Sequence, residues 1–333
     1  MDKVTIKEVA ELSNTSVRTV SRVINNHPNV KPSTRERVKQ VIKELDFKVN
    51  FVARSLKGQS TNQVVVFIDQ RSGEYWGDYH NEVFQELHRL IKAHNYRIVI
   101  SPSSPNSFED DDNDGFHLVK NNLCDGAIIF DPINNDQRVR YLKEHGIPFV
   151  LMGDSEQDFD VSYVGVDNFE IGYMGASKLF AKGYRSPVLF LGNEESIINQ
   201  KRGQGFISFC KEHGLEPSLY YGAFNLETVH KKANSVLKNE KIDSFFVSGD
   251  ERAIPVYKAI QEKGLFIGKD IGVLGIDNIS MGNYMFPGLS TIAQPKHKIA
   301  EAVVDLLIEQ MGKSEHEPKK ITFQPEFVER QSL

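Results

Sequence analysis

Residues 5–25, TIKEVAELSNTSVRTVSRVIN, decide the fold of the first part of the chain. Thr5 and Glu8 have the spacing of a capping box, in which each side chain satisfies a free N–H at a helix start. Apolar residues at helical spacing follow, and Ser13-Asn14-Thr15 interrupts them. Because Asn readily adopts the left-handed backbone of a tight turn, the stretch predicts two short helices joined at Asn14.

The second of these helices has two distinct faces. Ser16 can cap it, and its apolar residues Val20, Val23 and Ile24 face back onto the first helix. That arrangement leaves Val17, Arg18 and Arg22 facing outward. Two helices joined by a tight turn, the second carrying outward arginines, are typical of a helix-turn-helix that reads the major groove of DNA.

Each outward residue has a predicted role on DNA. Arg18 is expected to bind a guanine, Val17 a thymine methyl group, and Arg22 a second polar group on the bases. Hydroxyl and amide side chains around this face are expected to bind the sugar-phosphate backbone. They are Thr5, Ser16, Thr19, Asn25 and Thr34.

The headpiece sequence resembles the lactose/galactose repressor family of bacterial transcription regulators. The matching stretches are T-I-K-E-V-A, then S-V-R-T-V-S-R-V-I-N, then Val30-x-Pro32-x-Thr34-Arg35. Asn14 stands where the family usually has Gly, and it tolerates the same backbone geometry. The resemblance implies a DNA-binding headpiece, a hinge helix and a core that binds a small effector.

Composition and charge agree with this class of protein. The 333 residues suggest two or three domains of an ordinary soluble globular protein. Residues 1–60 contain 12 Lys and Arg against 6 Asp and Glu, a net of +6, while the remainder has 28 against 39, a net of −11. A basic headpiece on an acidic body suits one end binding phosphate while the rest stays away from it.

The chain shows no sign of export or of membrane insertion. No run approaches the ~18 apolar residues of a membrane span, and the start MDKVTIKEVAELS is not a signal peptide. Cys124 and Cys210 are too few for a disulfide framework or a zinc site, so we expect buried thiols in a reducing compartment. The expected location is therefore the cytoplasm.

A third helix and a connector complete the DNA-binding part. Pro32 suits the first turn of a helix over which Val38, Val41, Ile42 and Leu45 recur, so we predict a helix-turn-helix domain at 1–48. The following segment, NFVARSLKG, is a short helix too weak to form alone. The resemblance implies a hinge helix at 49–60 whose Leu56 inserts into the minor groove and kinks the duplex.

From residue 61 the pattern changes to alternating short apolar runs and amphipathic helices. Such alternation predicts parallel sheets with helices on both faces, and the number of strands predicts two sheets. The resemblance implies a periplasmic-binding-protein-like core of two doubly wound parallel-sheet subdomains that binds the effector and dimerises. It places the first subdomain at about 61–158 and 288–318, and the second at about 159–287 and 319–333.

Candidate effector-binding residues follow the predicted strands, because ligands bind at the carboxyl ends of strands in open sheets. Tyr75, Trp76, Asp131 and Asp154 are expected on this ground. The resemblance adds Arg202, Phe224 and Asp250 as effector contacts. An arginine, an aspartate and an aromatic ring that converge on a cleft suit a polar, ring-shaped metabolite.

Other kinds of site have no support in the sequence. The acidic run at 110–115 begins like an EF-hand loop, but its twelfth position is Asn121, so no bidentate Glu is present. Nucleotide-binding glycine motifs, a serine elbow and Cys/His clusters are lacking. We therefore expect no cofactor, no metal site, no catalytic residue and no enzymatic activity.

The sequence thus predicts a homodimeric repressor of a carbohydrate-use operon, controlled by a sugar and similar to maltose-type regulators. It binds a pseudo-palindromic operator in double-stranded DNA, and the effector and the DNA influence each other's binding allosterically. One alternative is a regulator that responds to a purine or to a phosphocarrier protein. Another, from a different class, is a solute-binding protein, which would need export.

Overall fold

The computed structural model describes residues 4–24, 27–48, 60–69, 77–154, 160–312 and 317–333. The chain divides into two compact units, Met1–Gln59 and Ser60–Leu333. Among the described residues, no helix has both the length and the apolar character that crossing a bilayer requires.

The first unit contains three helices, α1 (Ile6–Leu12), α2 (Val17–Ile24) and α3 (Pro32–Glu44). The capping box at the start of α1 forms, with Thr5 N donating to Glu8 Oε2 over 2.6 Å. Asn14 has a φ of 48°, the left-handed conformation that the turn requires. The helices enclose a small core of Val9, Ala10, Val20, Val23, Val30, Val38 and Val41. The predicted helix-turn-helix fold is confirmed.

The second unit alternates strands and helices. Its strands are β1 (Gln63–Asp69), β2 (Arg97–Ser103), β3 (Gly126–Phe130), β4 (Phe149–Met152), β5 (Tyr163–Val166), β6 (Pro187–Phe190), β7 (Ser218–Tyr220), β8 (Ser244–Val247), β9 (Gly272–Ile276), β10 (Ser290–Ala293), β11 (Lys320–Phe323) and β12 (Glu326–Val328). Its helices are α4 (Asp78–Ala93), α5 (His117–Lys120), α6 (Gln137–Glu144), α7 (Asn168–Ala181), α8 (Ile197–Glu212), α9 (Leu226–Asn239), α10 (Ala253–Glu262) and α11 (Lys296–Gly312).

The strands form two sheets of six, one in each lobe of the unit. The first lobe has the order β11-β5-β4-β3-β1-β2, and all its pairs are parallel. The second lobe has the order β12-β10-β9-β8-β6-β7, in which β12 runs antiparallel to β10 and the other pairs are parallel. The predicted class of two parallel-sheet subdomains is confirmed.

Both sheets are covered by helices on both faces. In the first lobe, Val64 and Val66 pack with α4 and α11, whereas Val65 and Phe67 face α5 and α6. In the second lobe, α9 and α10 cover one face and α7 and α8 cover the other. Strands buried on both faces explain the continuous apolar runs of the sequence.

Three strands fall outside the subdomain bounds that the family resemblance implied. β5 and β11 belong to the first sheet, although the bounds placed them in the second subdomain. β10 belongs to the second sheet, although the bounds placed it in the first. The chain therefore crosses between the lobes near 167, near 294 and between β11 and β12. These strands are only four residues long, and which sheet a strand joins depends on pairing with distant residues.

Candidate functional site

The outward face of α2 is the candidate surface for DNA. Val17 is 42% exposed and Arg18 is exposed, while Arg22 is half-buried. The side chain of neither arginine forms a hydrogen bond or an ion pair with another described residue of this unit, so both guanidinium groups are available. Ser16 caps the helix, with Thr19 N donating to Ser16 Oγ over 3.1 Å. The first turn of α2 is thereby fixed while its outward side chains remain open to a ligand.

Among the predicted backbone-binding residues, Thr5 and Ser16 are exposed and Thr19 and Thr34 are half-buried. Four predicted site residues lie outside the described part of the chain. They are Asn25, Leu56, Tyr75 and Trp76, together with most of the predicted hinge helix at 49–60.

A cavity of about 170 Å³ lies between the two lobes of the second unit. From the first lobe it is lined by the ends of β1, β3, β4 and β5 and by the start of α4. From the second lobe it is lined by α8 and by the segments after β6, β8 and β9. The cavity therefore lies at the carboxyl ends of the strands, where open α/β sheets bind ligands.

Arg202 of α8 is a buried cation in the wall of this cavity. Its Nε donates to Asn168 Oδ1 over 3.0 Å and its Nη1 donates to Ser248 Oγ over 2.8 Å. Burial lowers the pKa of the guanidinium, while nearby Asp277 and Asp131 act in the opposite direction. An arginine keeps its charge under these conditions and presents its remaining donors to the cavity.

Asp131 faces the cavity from the end of β3, in a left-handed conformation with φ of 45°. Its Oδ2 lies 3.3 Å from Nε2 of His80 in the first turn of α4. Nδ1 of His80 accepts a hydrogen bond from Gly77 N over 3.1 Å, so the neutral ring carries its proton on Nε2. His80 therefore donates to Asp131 and holds its carboxylate in place. No signal in the sequence singled out this histidine.

Asp277 also lines the cavity, although it was not among the predicted residues. Its Oδ1 accepts a hydrogen bond from Gln294 Nε2 over 2.6 Å, and Gln294 Oε1 accepts one from Tyr79 Oη over 3.3 Å. Burial raises the pKa of Asp277, and Arg202 opposes that rise. Asp277 follows β9 directly, so the rule that selected Asp131 and Asp154 applied to it as well.

Asp250, predicted to bind the effector, lies outside the cavity lining and is 1% exposed. Its Oδ1 accepts a hydrogen bond from Thr291 Oγ1 over 2.7 Å and its Oδ2 accepts one from Ile279 N over 2.9 Å. Burial and the neighbouring Asp277 raise the pKa of Asp250 to about 8. Because the side chain turns inward at the start of a 3₁₀ helix, it anchors the segment after β9 instead.

Two further predicted effector residues also lie outside the cavity lining. Asp154 forms an ion pair with Lys201 of α8, so it joins the two lobes. Phe224 is 40% exposed on the second lobe. A strand-end position brings a side chain to the correct edge of a sheet but does not set its direction.

The lobes are held together by polar contacts around the cavity. Asn134 Nδ2 donates to Gln200 Oε1 over 3.3 Å, on the same side as the Asp154–Lys201 pair. Elsewhere, Glu82 of α4 accepts a hydrogen bond from Ser280 N over 3.1 Å. These contacts set the relative position of the lobes on either side of the cavity.

The second lobe also carries a group of exposed apolar side chains, here called the apolar group. Its members are Phe224, Leu226, Ile254, Tyr284 and Phe286, of which the last two are 87% and 91% exposed. They flank residues of one core cluster, since Ala223, Ala253 and Met285 all pack in it. Tyr257 Oη also donates to Pro287 O over 3.0 Å, which ties the loop of Tyr284 and Phe286 to α10.

No group of three or more His, Cys, Asp or Glu side chains that would hold a metal ion occurs in the part of the chain that the structure describes. Both cysteines are buried, and burial raises the pKa of Cys124 to about 12 and of Cys210 to about 11.

Each of the two units matches a known protein family. Residues 5–50 match the bacterial regulatory proteins of the lacI family, and residues 176–333 match the periplasmic binding protein-like domain. Catabolite control protein A of Priestia megaterium is 29% identical over 318 residues, covering 93% of each chain. The regulator MalR of Clostridium butyricum is 29% identical over 98% of each chain. The repressor PurR of Erwinia tasmaniensis is 28% identical over 99% of this chain and 96% of its own.

Solved structures share the fold over almost the whole chain. A lac repressor dimer bound to operator and the anti-inducer ONPF has a TM-score of 0.83 at 22% identity, covering 99% of each chain. The transcriptional regulator CelR in complex with cellobiose has a TM-score of 0.74 at 21% identity, covering 99% of this chain and all of that one.

Proposed function

We propose that this chain, which belongs to the LacI family of bacterial regulatory proteins, represses carbohydrate-use genes as a homodimer whose DNA binding is set by a sugar. It is a DNA-binding transcription regulator, as its relatives are. The observation that carries the proposal is the joint presence of an open arginine face on α2 and a polar cavity in the core. The DNA-binding unit argues against a solute-binding protein, and we place the regulator in the cytoplasm, where the DNA is.

The outward face of α2 enters the major groove in this proposal. Arg18 binds a guanine, Val17 contacts a thymine methyl group, and Arg22 adds a polar contact. Thr5, Ser16, Thr19, Asn25 and Thr34 bind the backbone and set the register of the helix on the duplex. Leu56 inserts into the minor groove at the centre of the operator.

The cavity suits a ligand with several hydroxyl groups. Arg202 and Asn168 offer donors, Asp131 and Asp277 offer acceptors, and the ring of Phe130 adds an apolar surface. A sugar has both donors and acceptors on each face of its ring, so it satisfies such a mixed lining. MalR among the relatives and the CelR–cellobiose complex among the structures support the sugar proposal. Similarity to PurR supports a purine as the second candidate.

The apolar group supports the homodimer. A group of large exposed apolar side chains can mark a protein–protein interface. Tyr284 and Phe286 are almost fully exposed and are held by a loop that is tied to α10. A second copy of the chain that covers this group would bring two DNA-binding units to one pseudo-palindromic operator.

A sugar bound between the lobes would change their relative position and therefore the spacing of the two DNA-binding units. Contacts such as Asp154–Lys201 and Glu82–Ser280 would break or strengthen with that motion. The coupling is reciprocal, so the operator changes the affinity for the sugar by the same factor.

A thermal-shift screen of the full-length chain against neutral sugars, purine bases and sugar phosphates tests the effector proposal. A sugar at 100 times its Kd stabilises a protein by about 2.7 kcal/mol, which raises Tm by several degrees in a protein of this size. A purine base that stabilises the chain while every sugar fails would replace the sugar proposal with the second candidate.

A further inference from the structure

A carboxylate of the second lobe occupies the start of a helix in the first lobe. Glu251 Oε2 accepts a hydrogen bond from Asp78 N, the first residue of α4, over 3.0 Å. Gly77 precedes it, and a Cβ at that position would lie 1.9 Å from Glu251 Oε1. The missing side chain at Gly77 thus provides the space that the Glu251 carboxylate fills.

This helix start lies in the wall of the cavity, because His80 and Glu251 both line it. The free N–H groups and the dipole at a helix N-terminus favour a bound anion. Here the protein supplies its own acceptors, since His80 Nδ1 takes the N–H of Gly77 and Glu251 takes that of Asp78. The start of α4, one position in the cavity wall that would suit a ligand phosphate, is therefore already filled.

The charges around the cavity also disfavour a ligand phosphate. The described lining residues include four carboxylates, Asp69, Asp131, Glu251 and Asp277, against the guanidinium groups of Arg202 and Arg252. Both cations have partners in the protein, since Arg252 Nη1 donates to Ser248 O over 2.6 Å and Arg202 binds Asn168 and Ser248. Carboxyl groups therefore outnumber guanidinium groups in the lining, which disfavours an anionic ligand.

We propose that the cavity accepts an uncharged, polyhydroxylated ligand and rejects its phosphorylated counterpart, and that Glu251 is the residue that enforces this choice. The inference rests on the proposed function, in which a sugar binds between the lobes. Beyond that function, we infer that the sugar is uncharged and that Glu251 determines this specificity.

Isothermal titration of the full-length chain with matched pairs tests the choice: glucose with glucose 6-phosphate, ribose with ribose 5-phosphate, and maltose with its 6′-phosphate. The neutral member of a binding pair should bind at least about tenfold more tightly, a difference of about 1.4 kcal/mol. Glu251→Gln should narrow that ratio about tenfold. The control Glu216→Gln removes an exposed carboxylate of the same lobe outside the cavity lining, and it should leave the ratio unchanged.

The ratio of the two affinities distinguishes a role in specificity from a structural role. If Glu251 were only structural, its replacement would weaken the binding of both members of a pair equally. A phosphorylated sugar that binds the native chain more tightly than its neutral partner would overturn the inference and leave the sugar proposal standing. An unchanged ratio in Glu251→Gln would also overturn it.

A second experiment needs no sugar. The Tm of the native chain, Glu251→Ala and Glu216→Ala is compared in sodium sulfate and in sodium chloride of equal ionic strength. Sulfate stabilises proteins generally, so the informative quantity is the extra gain of one variant over another. Without the Glu251 carboxylate, the start of α4 is free to bind sulfate. The rise in Tm from chloride to sulfate should therefore be about 2–4 °C larger for Glu251→Ala than for either of the other chains.

An equal rise in Tm from chloride to sulfate in all three chains would contradict the inference. The expected sulfate result, combined with no binding by any sugar of the panel, would contradict the proposed sugar effector but not the exclusion of anions by Glu251.

Discussion

Arg202 donates from Nη1 to Ser248 Oγ over 2.8 Å, and this bond joins α8 to the segment that follows β8. The same guanidinium donates from Nε to Asn168 at the start of α7. Three elements of the second lobe therefore fix one cation in the cavity wall. A fixed donor fork loses little conformational entropy when it binds a ligand.

Replacing Arg202 by lysine should weaken binding of the sugar by about 10–100-fold, because one compact ammonium group cannot span Asn168, Ser248 and the ligand as the planar guanidinium does. Isothermal titration of the full-length chain measures the change. Lys211→Ala is the matched control, since Lys211 is exposed at the far end of α8. An Arg202→Lys chain that binds the sugar as tightly as the native chain would remove Arg202 from the effector site.

Arg18→Ala should relax base preference at one symmetric pair of operator positions, at a cost of about 1–3 kcal/mol per contact. The measurement is competition binding with a set of single-base variants of a selected operator. Lys39→Ala, an exposed change on α3, serves as the control and should leave base preference intact. If Arg18→Ala weakens binding to every sequence equally, Arg18 binds phosphate and reads no base.

Phe286→Asp should disrupt the homodimer, because it places a charge in the centre of the proposed apolar interface. Light scattering after size exclusion should show monomers at concentrations where the native chain is dimeric. Phe169→Asp changes another exposed phenylalanine of the same lobe, on α7 at the opposite face of the sheet, and should leave the dimer intact. A Phe286→Asp chain that stays dimeric would exclude this surface as the interface.

The buried Asp250 should make stability depend on pH. Its folded-state pKa is about 8, whereas the unfolded chain has the ordinary aspartate value near 3.9. Between these values folding takes up a proton, so the stability that this group contributes is complete below about pH 4 and is lost as pH rises through 8. The slope for one proton is at most about 1.4 kcal/mol per pH unit.

Urea denaturation from pH 5 to pH 8.5 measures that slope for the native chain and for Asp250→Asn. The variant cannot ionise, so its free energy of unfolding should rise relative to that of the native chain as pH increases. Asp305→Asn, an exposed change on α11, should follow the native chain. Parallel curves for the native chain and Asp250→Asn would show that Asp250 has no raised pKa.

The sequence predicts the elements that carry a strong local signal. The capping box at Thr5 and Glu8 and the apolar spacing of α1 to α3 suffice for the headpiece. The buried strands of both sheets have continuous apolar runs, as β3 does. By contrast, β11 is half-exposed and β10 begins with the buried polar pair Ser290 and Thr291, so neither has an apolar run that marks it as a strand.

The cavity is harder to predict because its residues come from distant parts of the chain. Of the residues predicted to bind the effector, Arg202 and Asp131 line the cavity, whereas Asp250 turns away from it; Asp277, which was not predicted, also lines it. The direction of Asp250 depends on Thr291, 41 residues away. The role of Glu251 depends on Asp78 in the other lobe, a pairing that no local pattern reveals.

The claim that a sugar sets the affinity of this chain for an inverted repeat is tested most directly by selection from a randomised duplex library. The full-length chain is used, with and without the sugar found by the thermal-shift screen. We predict enrichment of one inverted repeat at moderate salt, with an affinity that changes at least tenfold when the sugar is present. Binding that shows no preference for any inverted repeat over random DNA, in either condition, would contradict it.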